Sequence, residues 1–435
     1  MSELGPRPRS LPIAPHAKPS RTHLPLAEQA RPIDAVRPIY AVWEITLRCD
    51  LACRHCGSRA GHARPDELST EEALDLVQQM AQLGVREVSL IGGEAYLRDD
   101  WDRIAAALVE AGIDVGMTTG GRGITRERAQ RAKDAGLGTV SVSIDGLEQT
   151  HDQLRAVKGS YRAAIEALEH FDAVGMPISV NTQICQPNRK QIEPLFEVLH
   201  PLGIHSWQVQ ITVAMGRAAD EPDLLLQPYQ MVEVMPMVMR LHRRTEEVGV
   251  RLWPGTNVGY FGPYEGRFRR HMPRGHGTGC GAGRDTLGLE ANGDIKGCPS
   301  LPTDAYVGGN VREHGLQAVW ERSQALRFTR GRKTEDLWGY CASCYYADVC
   351  KAGCTWTSHV LSGRRGNNPV CHHRALDLMS RGRRERLVRV QPAAGEPFDH
   401  ARFEIVEEDW PEALLPWART IAETEQGWLD EPPTS

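Results

Sequence analysis

No apolar run in this 435-residue chain approaches bilayer-spanning length, and its first residues lack the hydrophobic core of a secretory signal. The expected location is therefore the cytoplasm, with no membrane partner. Surplus positive charge is also missing. Lys and Arg number 51 against 56 Asp and Glu, a formal charge of −5, which removes any global case for nucleic-acid binding. Lysine is the minor basic residue, and the arginine bias is read as composition before phosphate recognition. What is present is an ordinary globular balance, 41% hydrophobic and 25% charged. The length allows two domains, or one barrel with an appendage.

Against that background the eleven cysteines carry the information. In a cytosolic chain they point to metal or redox chemistry rather than disulfides. Cys49, Cys53 and Cys56 fall within eight residues, directly after the β-rich run 39–46. Three thiolates on one loop can hold three corners of a cubane iron–sulfur cluster and leave the fourth iron open. A closed zinc site needs a fourth ligand, for which His55 and His62 are the neighbours. His55 lies inside the loop and would strain to reach the same ion. Cys185 stands apart, and the other seven lie between Cys280 and Cys371.

Residues 1–38 carry eight prolines, too many for helix or sheet, and read as a draped arm. It is too short for a fused peptide-recognition domain. From 39 to 250 a strand–helix unit recurs, with β-rich runs at 39–46, 86–91, 113–118, 139–144, 177–184 and 206–213. Ser69 and Glu72 form a capping box before one amphipathic segment that Gly84 ends, and Ser160 starts another that Gly175 stops. Alternating elements with apolar strands predict a parallel sheet with right-handed crossovers, closing into an open six-stranded partial barrel. Ligands of such sheets sit at the carboxyl ends of the strands. The cysteine loop, Gly92-Gly93-Glu94, Thr119-Gly120, Ser143 with Asp145, and Asn181-Thr182 all fall at that edge. Residues 251–279 read as a bridge, 280–375 as a cysteine-rich domain, and 376–435 as an extension with a β-rich run at 403–406 and a helical piece near 414–423.

The loop Cys49-x3-Cys53-x2-Cys56, with the His55 ring just before the last cysteine, resembles the signature of the radical S-adenosylmethionine (radical SAM) enzymes. Cys280, Cys298, Cys341, Cys344, Cys350, Cys354 and Cys371 resemble, cysteine for cysteine, the SPASM extension of that family. The resemblance implies a partial (β/α)6 TIM-type barrel followed by a SPASM domain, with one catalytic and two auxiliary 4Fe-4S clusters. It implies that the open iron of the first cluster chelates S-adenosyl-L-methionine, whose cleavage gives a 5′-deoxyadenosyl radical. Gly92, Gly93 and Glu94 resemble the motif that binds the methionine amino group, although Ala95 replaces the usual proline. Thr119 takes a lining role. Ser143 and Asp145 resemble a pair that contacts ribose, and Arg155 resembles an arginine for the methionine carboxylate. By the same likeness Cys341, Cys344, Cys350 and Cys371 close the distal auxiliary cluster. Cys280, Cys298 and Cys354 hold the nearer one, with Cys185 a conceivable fourth ligand and an inert buried thiol the better reading. Asp285 and Glu290 are expected to be solvated.

The implied function is maturation of a ribosomally synthesised peptide (a RiPP) by cross-linking, epimerisation or oxidation. The implied partners are a peptide substrate with a leader, an electron donor such as flavodoxin or ferredoxin, and a separate peptide-recognition protein. The strip Arg381, Arg383, Arg384 and Arg386 offers a basic face to an acidic leader, though a solvated face is the safer reading. The alternatives are maturation of a partner enzyme such as an anaerobic sulfatase, and cofactor or tetrapyrrole biosynthesis. The non-enzyme alternative is a zinc-stabilised interaction module.

Overall fold

The computed structural model describes residues 36–421, apart from Tyr260 and Pro273. Most of the proline-rich arm, and the end of the helical piece expected near 414–423, lie outside the described residues. Six parallel strands pair in chain order: β1 (Tyr40–Glu44), β2 (Glu87–Ile91), β3 (Asp114–Thr119), β4 (Thr139–Ser143), β5 (Ile178–Ile184) and β6 (Ser206–Ile211). Between them run α1 (Thr70–Leu83), α2 (Trp101–Glu110), α3 (Arg126–Asp134), α4 (Glu148–Arg155), α5 (Ser160–Ala173) and α6 (Ile192–Leu199). The Ser69–Glu72 capping box opens α1, and Gly84, at φ 92°, closes it by donating to the Met80 and Ala81 carbonyls. The start of α5 differs from the expectation. Gly159 occupies the cap, while Asp152 accepts from the Gly159 and Tyr161 amides and from the Ser160 hydroxyl.

Strand periodicity divides the barrel wall into two faces. Trp43, Leu90, Val142 and Trp207, each at most 1% exposed, pack outward against the helices. The alternate positions, among them Ser89, Ser143, Asn181, Gln183, Gln208 and Gln210, line an internal cavity of about 650 Å³. Closed eight-stranded barrels fill that space with branched apolar side chains. This one keeps it polar and open.

The sheet runs past six strands at both edges. β7 (Arg251–Pro254) adds in parallel to β6, so the expected bridge opens with a strand. At the other edge β8 (Thr286–Leu289) pairs in parallel with β1, with Tyr40 opposite Thr286 and Trp43 opposite Leu289. β9 (Asp294–Lys296) and β10 (Gly309–Asn310) continue it antiparallel, giving the order β10-β9-β8-β1-β2-β3-β4-β5-β6-β7. The cysteine-rich region is thus hydrogen-bonded into the barrel.

Glu290 is not solvated as expected; it is 1% exposed. Its Oε1 lies 2.6 Å from Lys296 Nζ and its Oε2 2.7 Å from Arg64 Nη2. Lys296, fully buried, also donates to the Leu301 carbonyl and lies over the Phe398 ring. Three arginines of the strip lie on a hairpin of β11 (Arg383–Gln391) and β12 (Arg402–Asp409), where Arg383 faces Asp409 and Arg384 and Arg386 pair with Glu408; Arg381 precedes the hairpin and pairs with Asp377. Among the described residues no helix is long and apolar enough to cross a membrane.

Candidate active site and metal centres

The cysteine loop follows β1, and backbone hydrogen bonds from several elements give it its shape. Cys49 N donates to Gly61 O (3.0 Å), Arg54 N to Leu154 O (2.8 Å) and Cys56 N to Cys53 O (3.3 Å). Arg217, just beyond β6, clamps it from the far side. Its amide donates to Cys56 O (2.9 Å) and its Nε to Cys53 O (2.7 Å). Gly216 permits that approach: at φ 58°, an added Cβ would lie 2.3 Å from Cys56 O. Sequence reasoning missed Gly216-Arg217. Their one signal was a glycine–arginine pair just past the end of a strand.

Gly92 and Gly93 meet the loop from β2. A Cβ on Gly93 would lie 2.1 Å from Arg48 O and 2.8 Å from Cys49 Cβ, so only glycine fits. Glu94 is 2% exposed, and both of its oxygens are held, Oε2 by the Thr119 hydroxyl and Oε1 by the Gly120 amide, each at 2.6 Å. Burial pushes its carboxyl up to about 7, against those hydrogen bonds. Ligand atoms of Cys49, Asp50 and Glu94 all lie within 4.8 Å of one another. A carboxylate so oriented, beside a thiolate loop, suits an ammonium group.

Ser143 and Arg155 line the cavity, whereas Asp145 is not among its lining residues. The Asp145 carboxylate is instead fully buried. His55 Nε2 lies 3.1 Å from its Oδ2, and Arg155 Nη2 lies 2.6 Å from the same atom. Arg155 in turn donates from Nη1 to Cys53 Sγ at 3.6 Å. Burial opposes ionisation of Asp145, but Arg155 and His55 hold its carboxyl far below the usual range. Asp145 thus positions His55 and Arg155 against the loop.

Seven of the remaining cysteines fall into two groups. Cys280, Cys298 and Cys354 line the same cavity as Cys49, Cys53 and Cys56. Cys341, Cys344, Cys350 and Cys371 instead line a separate, smaller cavity of about 30 Å³. Burial pushes Cys298 up to about 12, and Cys280 and Cys354 raise it further. Cys350 is raised by burial and then by Cys371, Cys341 and Cys344. Thiols crowded this way cannot ionise together without a metal cation among them, so the donor sets fit thiolate-held clusters of iron. Cys185 belongs to neither group. It packs with Leu154 and Leu224, away from the cavity lining. The two groups meet at Cys350–Cys354, where Lys351 (φ 48°), Ala352 (φ 61°) and Gly353 (φ 58°) are consecutively left-handed.

The model of the Radical SAM superfamily matches residues 43–199, and that of an iron–sulfur cluster-binding domain, SPASM, matches residues 280–345. An AdoMet-dependent heme synthase of Nitratidesulfovibrio vulgaris is 28% identical, over 76% of this chain and 91% of that one. The mycofactocin maturase MftC of Mycolicibacterium smegmatis is 29% identical, over 76% of this chain and 81% of its own. Streptococcus suis SuiB, solved with its precursor peptide SuiA, shares the fold. Its TM-score is 0.61 at 19% identity, over 78% of this chain and 77% of that one.

Proposed function

Because the chain belongs to the radical SAM superfamily and carries its SPASM iron–sulfur domain, we propose that it is a maturase acting on a ribosomally made peptide. The relatives divide between a tetrapyrrole synthase and a peptide maturase at almost equal identity, so the deciding observation is the charge of the chamber. Tetrapyrroles of heme biosynthesis carry several carboxylates, which need unpaired cations in a dry site. The arginines lining this chamber are committed elsewhere. Arg155 pairs with Asp145, Arg284 with Asp285, and Arg217 with the Cys53 and Ala60 carbonyls. The wall offers neutral amides instead, with Asn181 opposite Gln208 and Gln183 opposite Gln210 across β5 and β6. Asn181 Oδ1 has no hydrogen-bond partner among the described residues. Two rungs of amides, roughly 7 Å apart along the strands, suit an extended peptide backbone.

When bound, a 4Fe-4S cluster on Cys49, Cys53 and Cys56 supplies reductive cleavage of S-adenosylmethionine and a 5′-deoxyadenosyl radical. Around it Glu94 accepts from the methionine ammonium, Thr119 and Gly120 fix Glu94, and Gly92 and Gly93 let the backbone approach. Arg155, held by Asp145, stands beside Cys53, and Ser143 offers a hydroxyl to the ribose. Asp145 keeps its positioning role only. Cys280, Cys298 and Cys354 hold one auxiliary cluster, and Cys341, Cys344, Cys350 and Cys371 the other. In this reading residues 39–250 form the catalytic barrel, 251–279 the connection and 280–375 the SPASM domain; 376–435 is an extension. Flavodoxin or ferredoxin serves as donor, and a separate protein presents the leader. The test is anaerobic incubation of reconstituted enzyme and S-adenosylmethionine with precursor peptides encoded nearby, and in parallel with iron-coproporphyrin, read by mass spectrometry. A mass change in a peptide is expected. Turnover of the porphyrin alone would overturn the assignment.

A further inference from the structure

Arg332 lies in the turn between the helical stretch Gln324–Arg327 and the 3-10 turn Thr334–Asp336. It is 5% exposed. Its Nη1 donates to Thr355 Oγ1 at 3.2 Å, while Nε and Nη2 are buried and have no hydrogen-bond partner among the described residues. Arg330, two positions earlier, shows what an ordinary structural arginine does here. Its Nε donates to Gly283 O and its Nη2 to Trp320 O, with the guanidinium over the Trp320 ring.

Two links tie Arg332 to the segment that joins the cysteine groups. Thr355 directly follows Cys354, and Lys351, directly after Cys350, donates from Nζ to the Arg332 carbonyl at 2.8 Å. The guanidinium therefore sits at the seam between the two sites. The ionisable groups within electrostatic reach of it include Cys280 of the near group, Cys341 of the far group and Tyr306, together with the Arg365 guanidinium. No carboxylate pairs with it among the described residues. Burying a cation with two idle donors is costly unless an anion arrives to meet them.

We propose that Arg332 is a shared counter-cation of the two SPASM centres, a buried positive charge beside both that raises their reduction potentials. Positive charge near a cluster favours the reduced, more negative state. Arg332 is thus a positioning and tuning residue that poises the auxiliary pair to accept an electron. The inference rests on the reading of these seven cysteines as cluster ligands.

The test is an EPR-monitored redox titration of full-length, anaerobically reconstituted enzyme carrying Arg332→Met or Arg332→Lys, with iron content and melting temperature measured alongside. Arg332→Met is expected to shift at least one auxiliary midpoint negative by a tenfold change in its one-electron equilibrium, about 59 mV. Arg332→Lys is expected to recover most of that shift. If Met costs the protein auxiliary iron while Lys keeps both iron and potential, the role of the charge is equally supported. Unchanged midpoints in fully loaded Arg332→Met overturn the proposal, as does equal loss of iron and melting temperature in both variants. Wild-type protein with no iron at the seven cysteines would instead remove the cluster reading on which it depends.

Discussion

The loop at the barrel mouth and the four-cysteine site at the far end use the same ligand chemistry in opposite settings. Cys49, Cys53 and Cys56 open onto a chamber of about 650 Å³, and their backbone is held by Gly61, Leu154 and Arg217, which belong to the barrel. Cys341, Cys344, Cys350 and Cys371 line a cavity of about 30 Å³ among short helical turns. The apolar support there is thin: Phe261 stacks on Tyr346, and Leu337, Ala347 and Ala352 form a small cluster. A loop shaped by an independent scaffold can do without its metal; a knot with little core of its own cannot. Three protein ligands leave a position for chemistry, whereas four leave only electron storage and structure.

The largest expected contrast comes from removing each ligand set. The triple change Cys49→Ala, Cys53→Ala, Cys56→Ala should abolish 5′-deoxyadenosine formation and lower iron from about twelve to about eight per chain. It should barely move the melting temperature. Cys341→Ala should instead cost at least about 10 °C in melting temperature along with its iron, because metal binding supplies folding energy there. Equal thermal losses in both proteins would erase the distinction.

Gly93→Ala probes the barrel side by shape alone. Its Cβ would fall 2.1 Å from Arg48 O, so iron analysis should show loss of the loop's cluster with the auxiliary clusters retained. Arg374→Met probes the far side. Arg374 makes a bidentate pair with Glu385, at 2.7 and 2.5 Å, and donates to Asn367 Oδ1 and the Asn368 carbonyl. Breaking that buried pair should cost about 3–5 kcal/mol in denaturant unfolding. Glu94→Gln keeps the volume but loses the charge, and should weaken S-adenosylmethionine binding by about 1.5–3 kcal/mol in equilibrium titration.

A further effect concerns the join between β1 and β8. Burial pushes Glu44 up to about 7, opposed by Arg64 and Lys296 and reinforced by Glu290. The folded protein then holds a proton that the unfolded chain has released above its ordinary value of 4.5. Glu44 therefore lowers stability as pH rises from about 4.5 to about 7, by up to about 1.4 kcal/mol per pH unit. Unfolding free energies across that range should show Glu44→Gln flattening the slope.

The parts legible in the sequence were those with strong local rules. Strands β1–β6 stand out as short β-rich runs between amphipathic segments, and the Ser69–Glu72 box opens α1. β8, β9 and β10, at four, three and two residues, are too short to carry a period, and only their pairing with β1 makes them strands. Arg217 and Arg332 looked like any arginine in an arginine-rich chain. Their importance comes from partners far along the sequence, or from having too few. Glu290 read as solvated because its counter-charges, Arg64 and Lys296, meet only once β8 and β9 have joined the barrel. Asp145 stood at the right edge of the sheet, but its carboxylate is claimed by His55 and Arg155.

The step from Cys350 to Cys354 passes through three successive residues of left-handed twist. Each non-glycine in that conformation costs about 1–2 kcal/mol, so the segment acts as a bent strut, not a tether. It sets the separation of its two ends through main-chain sterics at Lys351 and Ala352. Electron tunnelling falls off exponentially with distance, so any transfer between the two cysteine groups it joins is tied to that stereochemistry.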